Sequence, residues 1–426
     1  MNQADGNRCS HELVDHFFRH EYARTVSVLC RQFGLKYLET IEDSVQKALL
    51  SAMQHWPHRG TPESPSAWIS GVARNYMIDS LRHKKTERIR EKLISDTEFA
   101  SNEAIHTKHE LPDSLLQMMF VCCHPALDRQ SQIALSLKTL CGFSINEIAS
   151  GLLMKPETVK KRLQRARSKL KSLKIKLQQP PLDELAGRLD SLHHVLYMMF
   201  NEAYSTSSGD APIRDDVCEE ATRICFLLSH HPIATPASYA LLALMLLHSA
   251  RLEARYDKHG LALMLDEQDR SKWDQRLIQH GMIWLKKASV PCSRYHLEAY
   301  LAVQHVSVNN INETQWTTVI ALYDQLIAMQ NSPVYRLNRA IAVAYNGQHC
   351  KAIEALQTLK SETFDGYYLL YCAIGKVYEL SHRLQQAEEN YSYALNHTHV
   401  KHQIATIRRQ IEKKCRHLNE DLSSEH

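Results

Sequence analysis

The sequence predicts an all-α protein made of several helical domains. Three observations carry this: only 13 Gly and 13 Pro occur among 426 residues, apolar residues recur at helical spacing in segment after segment, and strand-like alternation is scarce. With 44% hydrophobic residues the chain can bury substantial cores. At about 100–200 residues per domain, its length points to two to four of them.

Residues 11–92 are predicted to form a first helical domain. In "HELVDHFFRHEYARTVSVLCRQF", Leu13, Phe17, Val26 and Leu29 fall near helical spacing, and Gly34 ends the pattern. The helix "TIEDSVQKALLSAMQHW" opens with Thr40 and Asp43 in capping-box spacing and is expected to stop before Pro57. After the loop "PHRGTPESP", a third helix places Trp68, Val72, Met77, Ile78 and Leu81 on one stripe. Its other side gathers Arg74, Asn75, Arg82, His83, Lys84 and Lys85.

Between 93 and 112 both periodicity and positive charge fade, and Asp96, Glu98, Glu103 and Glu110 mark an acidic linker. Helical patterning resumes over 113–177, and "QQPP" at 178–181 marks the next boundary. Residues 182–426 then form a long helical extension. Within it Ser271 and Asp274 are expected to make a capping box ahead of an inner face of Trp273, Leu277, Met282 and Leu285. Over 333–400 a repeat emerges. Tyr371, Ile374, Gly375, Tyr378, Ala387, Tyr391 and Ala394 follow the tetratricopeptide pattern, and Ala340 and Ala352 match it about 35 residues earlier, with "YNGQ" and "LSHR" as corresponding turns.

The net charge of +4 hides an asymmetry. Residues 1–180 carry 27 Lys+Arg against 19 Asp+Glu, whereas the remainder carries 24 against 28. The positive excess therefore belongs to the front, which suits an acidic partner there. No secretory leader is visible in the opening residues, and the longest apolar run, "LLALMLL", falls far short of the roughly 20 residues of a membrane helix, so a cytoplasmic protein with no membrane partner is expected. Eleven scattered cysteines fit reduced thiols. Cys122-Cys123-His124 lacks the spacing of a zinc knuckle, and neither metal nor cofactor is expected.

The most informative stretch is "LMKPETVKKRLQRARSKL" at 153–170. Between Lys155 and Lys176 ten basic residues face one acid, Glu157. Val159, Leu163, Ala166 and Leu170 form one narrow apolar stripe, and Pro156 suits the first helical position. Upstream, "SINEIASGLLM" gives a short helix with Ile145, Ile148, Ala149 and Leu152 turned inward. Short helix, tight turn and basic helix make a helix-turn-helix, whose second helix enters the DNA major groove N-terminus first. That places Glu157, Thr158, Lys160, Lys161 and Gln164 near bases and Arg162, Arg165, Arg167 and Lys169 near phosphates. The competing reading is a solvated face. Such faces mix signs through i,i+4 pairs, and Glu157 stands alone.

In segment order the chain resembles bacterial RNA polymerase sigma factors of the extracytoplasmic-function group. "IEDSVQKALLSAMQHW" resembles the region 2 helix that grips the polymerase clamp, "SPSAWISGVARNYMIDSLRHKK" the promoter-melting and minus-10 helix, and "FSINEIASGLLMKPETVKKRLQRARSKL" the minus-35 reader of region 4. The absence of a large domain between regions 2 and 4 matches the group's order. "LYMMFNEAYSTSSGD", "LALMLLHSARLEAR", "LDEQDRSKWD" and "SPVYRLNRAIAV" resemble blocks of a subgroup with a tetratricopeptide-like extension. The resemblance implies core RNA polymerase (its beta-prime clamp and beta subunit) and promoter DNA as partners. Polymerase contact is implied for Glu42, Asp43, Gln46 and Leu49; Lys47 departs from the family, where many members carry an acid. Region 2 contacts to DNA are implied for Arg74, Asn75, Arg82, Lys84 and Lys85.

The physics of those roles is independent of the resemblance. Opening a duplex requires phosphate charge to hold it and contacts that offset the few kcal/mol of unstacking. Trp68 suits either core packing or base stacking, and the acidic linker either a basic channel or a plain spacer. Three functions compete: a sigma factor without catalytic activity, a stand-alone regulator with a helical sensor, and an enzyme built on Asn201, Glu202, Asp210, Asp266, Glu267, Asp269, Arg270 and Asp274. Carboxylates at helix ends are usually caps or ion pairs, which disfavours the third. The extension is expected to dock on the front domains through Asn201, Glu202, Asp266 and Asp269.

Overall fold

A computed structural model describes residues 22–91, 111–152, 154–173, 175, 185–204, 215–257, 263–289, 293–362, 368–398, 404–409 and 411. Side chains are described there except at 83–91, 111–114, 116, 150, 151, 202, 203, 215–217 and 362. Leu13, Phe17, the side chains of Lys84, Lys85 and Glu202, and most of the acidic linker thus lie outside the described residues. Every regular element among the described residues is an α-helix or a short 3-10 helix. Two compact units result: one spans residues 1–204 and 215–233, the other 205–214 and 234–426.

In the first unit, α1 (22–33) buries Val26 and Leu29 and is closed by Gly34, whose φ of 91° favours glycine. A 3-10 turn (Leu35–Tyr37) leads into α2 (Leu38–Arg59), which packs on α3 (Pro65–Glu91). The expected capping box is not what starts α2: the helix begins two residues before Thr40, whose carbonyl accepts from Ser44 Oγ at 2.7 Å. Nor does Pro57 stop it. The proline lies in the last turn, and Gly60 ends the helix by donating to the Trp56 carbonyl. On α3 the fully buried line is Ile69, Ala73 and Met77, with Trp68, Val72, Ile78 and Leu81 half-buried beside it.

The helices α4 (Leu111–Cys122), α5 (Arg129–Cys141), α6 (Ile145–Gly151) and α7 (Pro156–Ser172) follow. Asp128 caps α5 by accepting from the Ser131 amide. A reciprocal box starts α6: the Ser144 amide donates to Glu147 Oε2 at 2.7 Å, and the Glu147 amide to Ser144 Oγ at 3.2 Å. Two further helices, α8 (Leu189–Tyr204) and α9 (Asp215–His230), pack on each other and on α5 and α4 respectively. Arg188, just ahead of α8, donates to the Phe120 carbonyl at 3.0 Å. The first helices past the "QQPP" boundary therefore complete the front unit.

In the second unit α10 (Pro236–Ser249) packs on α11 (Gln275–Lys287) and α12 (Arg294–Val306). The α11 inner face is Ile278, Gly281 and Leu285; Met282, expected inside, is 41% exposed, because glycine and not methionine occupies the contact. The expected Ser271–Asp274 box is instead two successive caps, Asp269 on the Ser271 amide and Asp274 on the amides of Arg276 and Leu277. Then α13 (Trp316–Met329), α14 (Pro333–Tyr345), α15 (His349–Glu362), α16 (Tyr368–Leu380) and α17 (Leu384–Asn396) each pack on the next, and α14 also touches α16. The two turns of this stack share one geometry. Gln348 donates to the Val343 carbonyl and Gly347 to that of Ala344; 35 residues later Arg383 donates to Tyr378 and His382 to Glu379. Gly347 and His382 both have positive φ, 79° and 57°.

Candidate nucleic-acid interface

The helix-turn-helix is built from the apolar stripe outward. Val159, Leu163, Ala166 and Leu170 are all buried, and α7 packs on both α5 and α6 through them. Pro156 occupies the first turn of α7, where its missing N–H costs nothing. The tight turn is fixed by the Met154 amide on the Ala149 carbonyl at 2.7 Å. Burying the stripe leaves Glu157, Thr158, Lys160, Lys161, Gln164, Arg165 and Lys169 exposed on the other side of the helix. No carboxylate among the described residues pairs with Lys160, Lys161 or Arg165. Three cations without a carboxylate partner on one face have the charge that phosphate contact requires.

Two arginines expected on phosphates are engaged within the protein. Arg162, 22% exposed, donates to Asp128 Oδ1 at 2.8 Å. Arg167, 18% exposed, lies 3.5 Å from Glu39 and forms a short ion pair with Glu42. Glu42 also accepts from Thr139 Oγ1 at 2.7 Å, so one carboxylate of α2 joins α5 and α7. Burial pushes the Glu42 carboxyl above the ordinary range, against the downward pull of Arg167, Thr139 and Lys138.

Glu42, expected at a polymerase contact, is therefore buried within the protein, and so is Leu49. Both fall on the inward stripe of α2 with Ile41, Val45, Ala52 and Trp56. The outward face carries Asp43, Lys47 and the 57%-exposed Leu50, with Gln46 half-buried. A signal for this was present in the sequence: a glutamate at a core position of an amphipathic helix requires a buried cation. Sequence reasoning missed Thr139, Lys138 and Asp128, since none lies on a helical stripe with its partner.

On α3, Arg74, Asn75 and Arg82 are exposed, and Arg82 lies 3.6 Å from Asp79 in a solvated i,i+3 pair. Trp68 stands half-buried, edge-on to Trp56 with ring centroids 5.6 Å apart. Asn201, at the end of α8, belongs to the front unit. The expected docking acids are engaged elsewhere: Asp266 binds Lys376 Nζ at 2.8 Å and accepts from Tyr345 at 3.3 Å, while Asp269 caps Ser271. These bonds hold the "DEQDRSKWD" loop inside the second unit, joined by Glu267 to Arg409, Gln268 to Arg251, and Arg270 to the carbonyls of His305 and Val308.

Cys122 and Cys123 are buried, and burial raises both thiols, that of Cys123 to about 12. Buried in this way, both are neutral thiols near pH 7. Among the described residues no three His, Cys, Asp or Glu side chains gather as a metal set, and no helix is long and apolar enough to cross a membrane.

Residues 18–87 match Sigma-70 region 2 and residues 117–170 match Sigma-70, region 4. Residues 188–289, which span both compact units, match a family of unknown function (DUF6596). "Uncharacterized protein R00370" of Rhizobium meliloti (strain 1021) is 30% identical over 395 residues, covering 91% of this chain and 93% of that protein. No solved structure matches. Because regions 2 and 4 stand in order on one chain, each coinciding with a helical module that carries exposed basic residues, and 91% of the chain aligns with the R. meliloti protein, the chain belongs to the sigma-70 family of transcription initiation factors.

Proposed function

We propose that this sigma-70 protein belongs to the extracytoplasmic-function group and carries its own regulatory extension. The observation that supports the group is spacing: only residues 88–116 separate the region 2 and region 4 matches, too few for another domain. In this reading the outward face of α2, with Asp43, Gln46 and Leu50, meets core polymerase. Arg74, Asn75, Arg82, Lys84 and Lys85 hold and read the minus-10 element. Glu157, Thr158, Lys160, Lys161 and Gln164 read the minus-35 element, with Arg165 on phosphate. No catalytic step is assigned to the chain, which contributes positioning and duplex opening.

The helices from α13 onward act as a tetratricopeptide-like platform. Support comes from the repeated turn geometry at Gly347 and His382 and from the small residues Gly375, Ala387 and Ala394 at the helix contacts. Stacks of this kind present extended surfaces for peptides or neighbouring domains. The extension is read as the regulator of initiation.

Run-off transcription with purified core polymerase and a genomic promoter library tests both parts, comparing the full chain with residues 1–233, which retain α8 and α9 on the front unit. Discrete start sites dependent on the full chain are expected, with an altered yield from the shortened one. DNA binding without initiation by either would favour a stand-alone regulator.

A further inference from the structure

In the second unit two arginines share one buried indole. The Arg270 guanidinium stands over the Trp273 ring at 4.5 Å and that of Arg251 at 5.2 Å. Arg251 donates to Gln268 Oε1, an amide oxygen that carries no formal charge. Arg270 donates through Nη1 to the His305 and Val308 carbonyls at the C-terminal end of α12. No carboxylate among the described residues bonds Arg270. Glu313 acts on it only through space, its oxygens accepting from the Asn309 amide and Asn310 Nδ2. Two like charges on one ring repel each other, and the partial charge of a helix C-terminus offsets only about half of one of them.

Around this pair, four buried polar atoms have no hydrogen-bond partner within the protein: Arg270 Nη2, Trp273 Nε1, His305 Nδ1 and Thr314 Oγ1. Trp273 is 3% exposed and Thr314 5%. Thr314 lies in the turn that also carries Glu313 and Trp316, and the Trp316 ring is 5.9 Å from that of His305. Burial, reinforced by Arg251 and Arg270, lowers His305 to about 4, so at pH 7 its imidazole adds a hydrogen-bonding nitrogen and no charge. Buried polar groups are rarely left unbonded, because each has given up water for nothing in return. With two guanidiniums beside them, an acceptor that carries negative charge satisfies these groups better than a neutral one. Arg270 itself is half-buried, so the cluster reaches the surface.

We propose that Arg270, Trp273, His305 and Thr314 form a binding site for a phosphate group, with Arg251 supplying the second positive charge. Groups arriving from three segments, the "DEQDRSKWD" loop, the end of α12 and the turn after it, suit a tetrahedral oxyanion whose oxygens point several ways better than a planar carboxylate. The site does not depend on the reading of α7 as a promoter reader. It gives the extension a means of responding to a small phosphate-bearing effector.

The test uses the full-length chain carrying Lys160→Gln, Lys161→Gln and Arg165→Gln, which removes the cationic face of α7 as a competing phosphate surface. Inorganic phosphate is titrated into it by calorimetry at constant ionic strength, with acetate as the planar comparison. One saturable phosphate site per chain is expected, with acetate at least tenfold weaker. Ribose 5-phosphate separates the sources: tighter binding than the free ion makes the phosphate one group of a larger effector, weaker binding makes the ion itself the ligand, and either supports the site. On the same background, Trp273→Phe keeps a ring beneath the guanidiniums and removes the N–H, while Thr314→Val keeps the shape and removes the hydroxyl. Each should weaken phosphate binding at least threefold, while the melting temperature without phosphate holds or rises, since neither lost group bonds anything within the protein. If one variant fails to fold, the other decides. Absence of saturable phosphate binding overturns the site, as does acetate binding equal to phosphate, or phosphate affinity unchanged in the folded variants.

Discussion

Gly281 lies so close to Leu247 that a Cβ on it would stand 2.8 Å from the leucine Cγ and 3.3 Å from the Ala243 carbonyl oxygen. The glycine is what lets α11 pack directly on α10, since the leucine is fully buried and the carbonyl belongs to a helix backbone that cannot yield. Gly281→Ala should therefore destabilise the second unit by about 1–3 kcal/mol, overriding the helix preference of alanine. Gly71, in the interior of α3, has nothing within 4 Å of the same position. There Gly71→Ala should stabilise by about 0.5–1 kcal/mol. Thermal or urea unfolding of the two variants, read separately for each unit, checks the opposite signs.

On α7 the buried stripe and the cationic face should separate cleanly. Lys160→Gln and Lys161→Gln remove exposed charges without a partner, so each should lower promoter affinity and reduce the slope of log K against log salt by about 1, with the melting temperature unchanged. Leu163→Ala, 2% exposed, should cost about 2–5 kcal/mol of stability and leave the salt slope of any folded fraction intact. Fluorescence titration of a promoter duplex at several salt concentrations, beside a denaturation curve, distinguishes them.

The two turns of the C-terminal stack use the same left-handed residue with different chemistry. His382 adopts φ 57° with a Cβ that the conformation disfavours, whereas Gly347 adopts φ 79° freely. His382→Gly should stabilise the unit by up to about 1 kcal/mol, and Gly347→Ala should cost a similar amount. Both positions are exposed, so calorimetry reads backbone strain with little change in packing.

What the sequence made legible was what repeats along one helix. The α7 stripe needed no partner to be recognised, because Val159, Leu163, Ala166 and Leu170 announce their common face by spacing alone. The turns at Gly347 and His382 were legible for the same reason, being 35 residues apart. Contacts between distant segments were not. Periodicity places Leu49 and Leu50 on neighbouring faces of α2 but does not say that one is buried and the other 57% exposed. It likewise gave Arg167 to phosphate, since only folding brings Glu42, 125 residues away, against it. The unit boundary was hidden too: α8 and α9 have apolar faces like any helices of the extension, and only their packing on α4 and α5 assigns them to the front.

The remaining prediction concerns acid. His193 on α8 is 1% exposed, and burial lowers its pKa from 6.5 to about 4, against a small upward pull from Asp190. In the unfolded chain the imidazole takes up a proton near pH 6.5; in the folded unit it resists until about pH 4. Between those values the unfolded state binds the extra proton, so stability is complete above pH 6.5 and declines as pH falls toward 4, by up to about 3 kcal/mol from this group. Below pH 4 the loss levels off. His193→Gln keeps a polar side chain but cannot titrate, so its stability at pH 5 relative to pH 7 should fall less than that of the parent. Urea unfolding of both proteins across this range checks it: parallel curves would place the acid sensitivity elsewhere, and a flatter curve for the variant assigns it to the imidazole beneath α8.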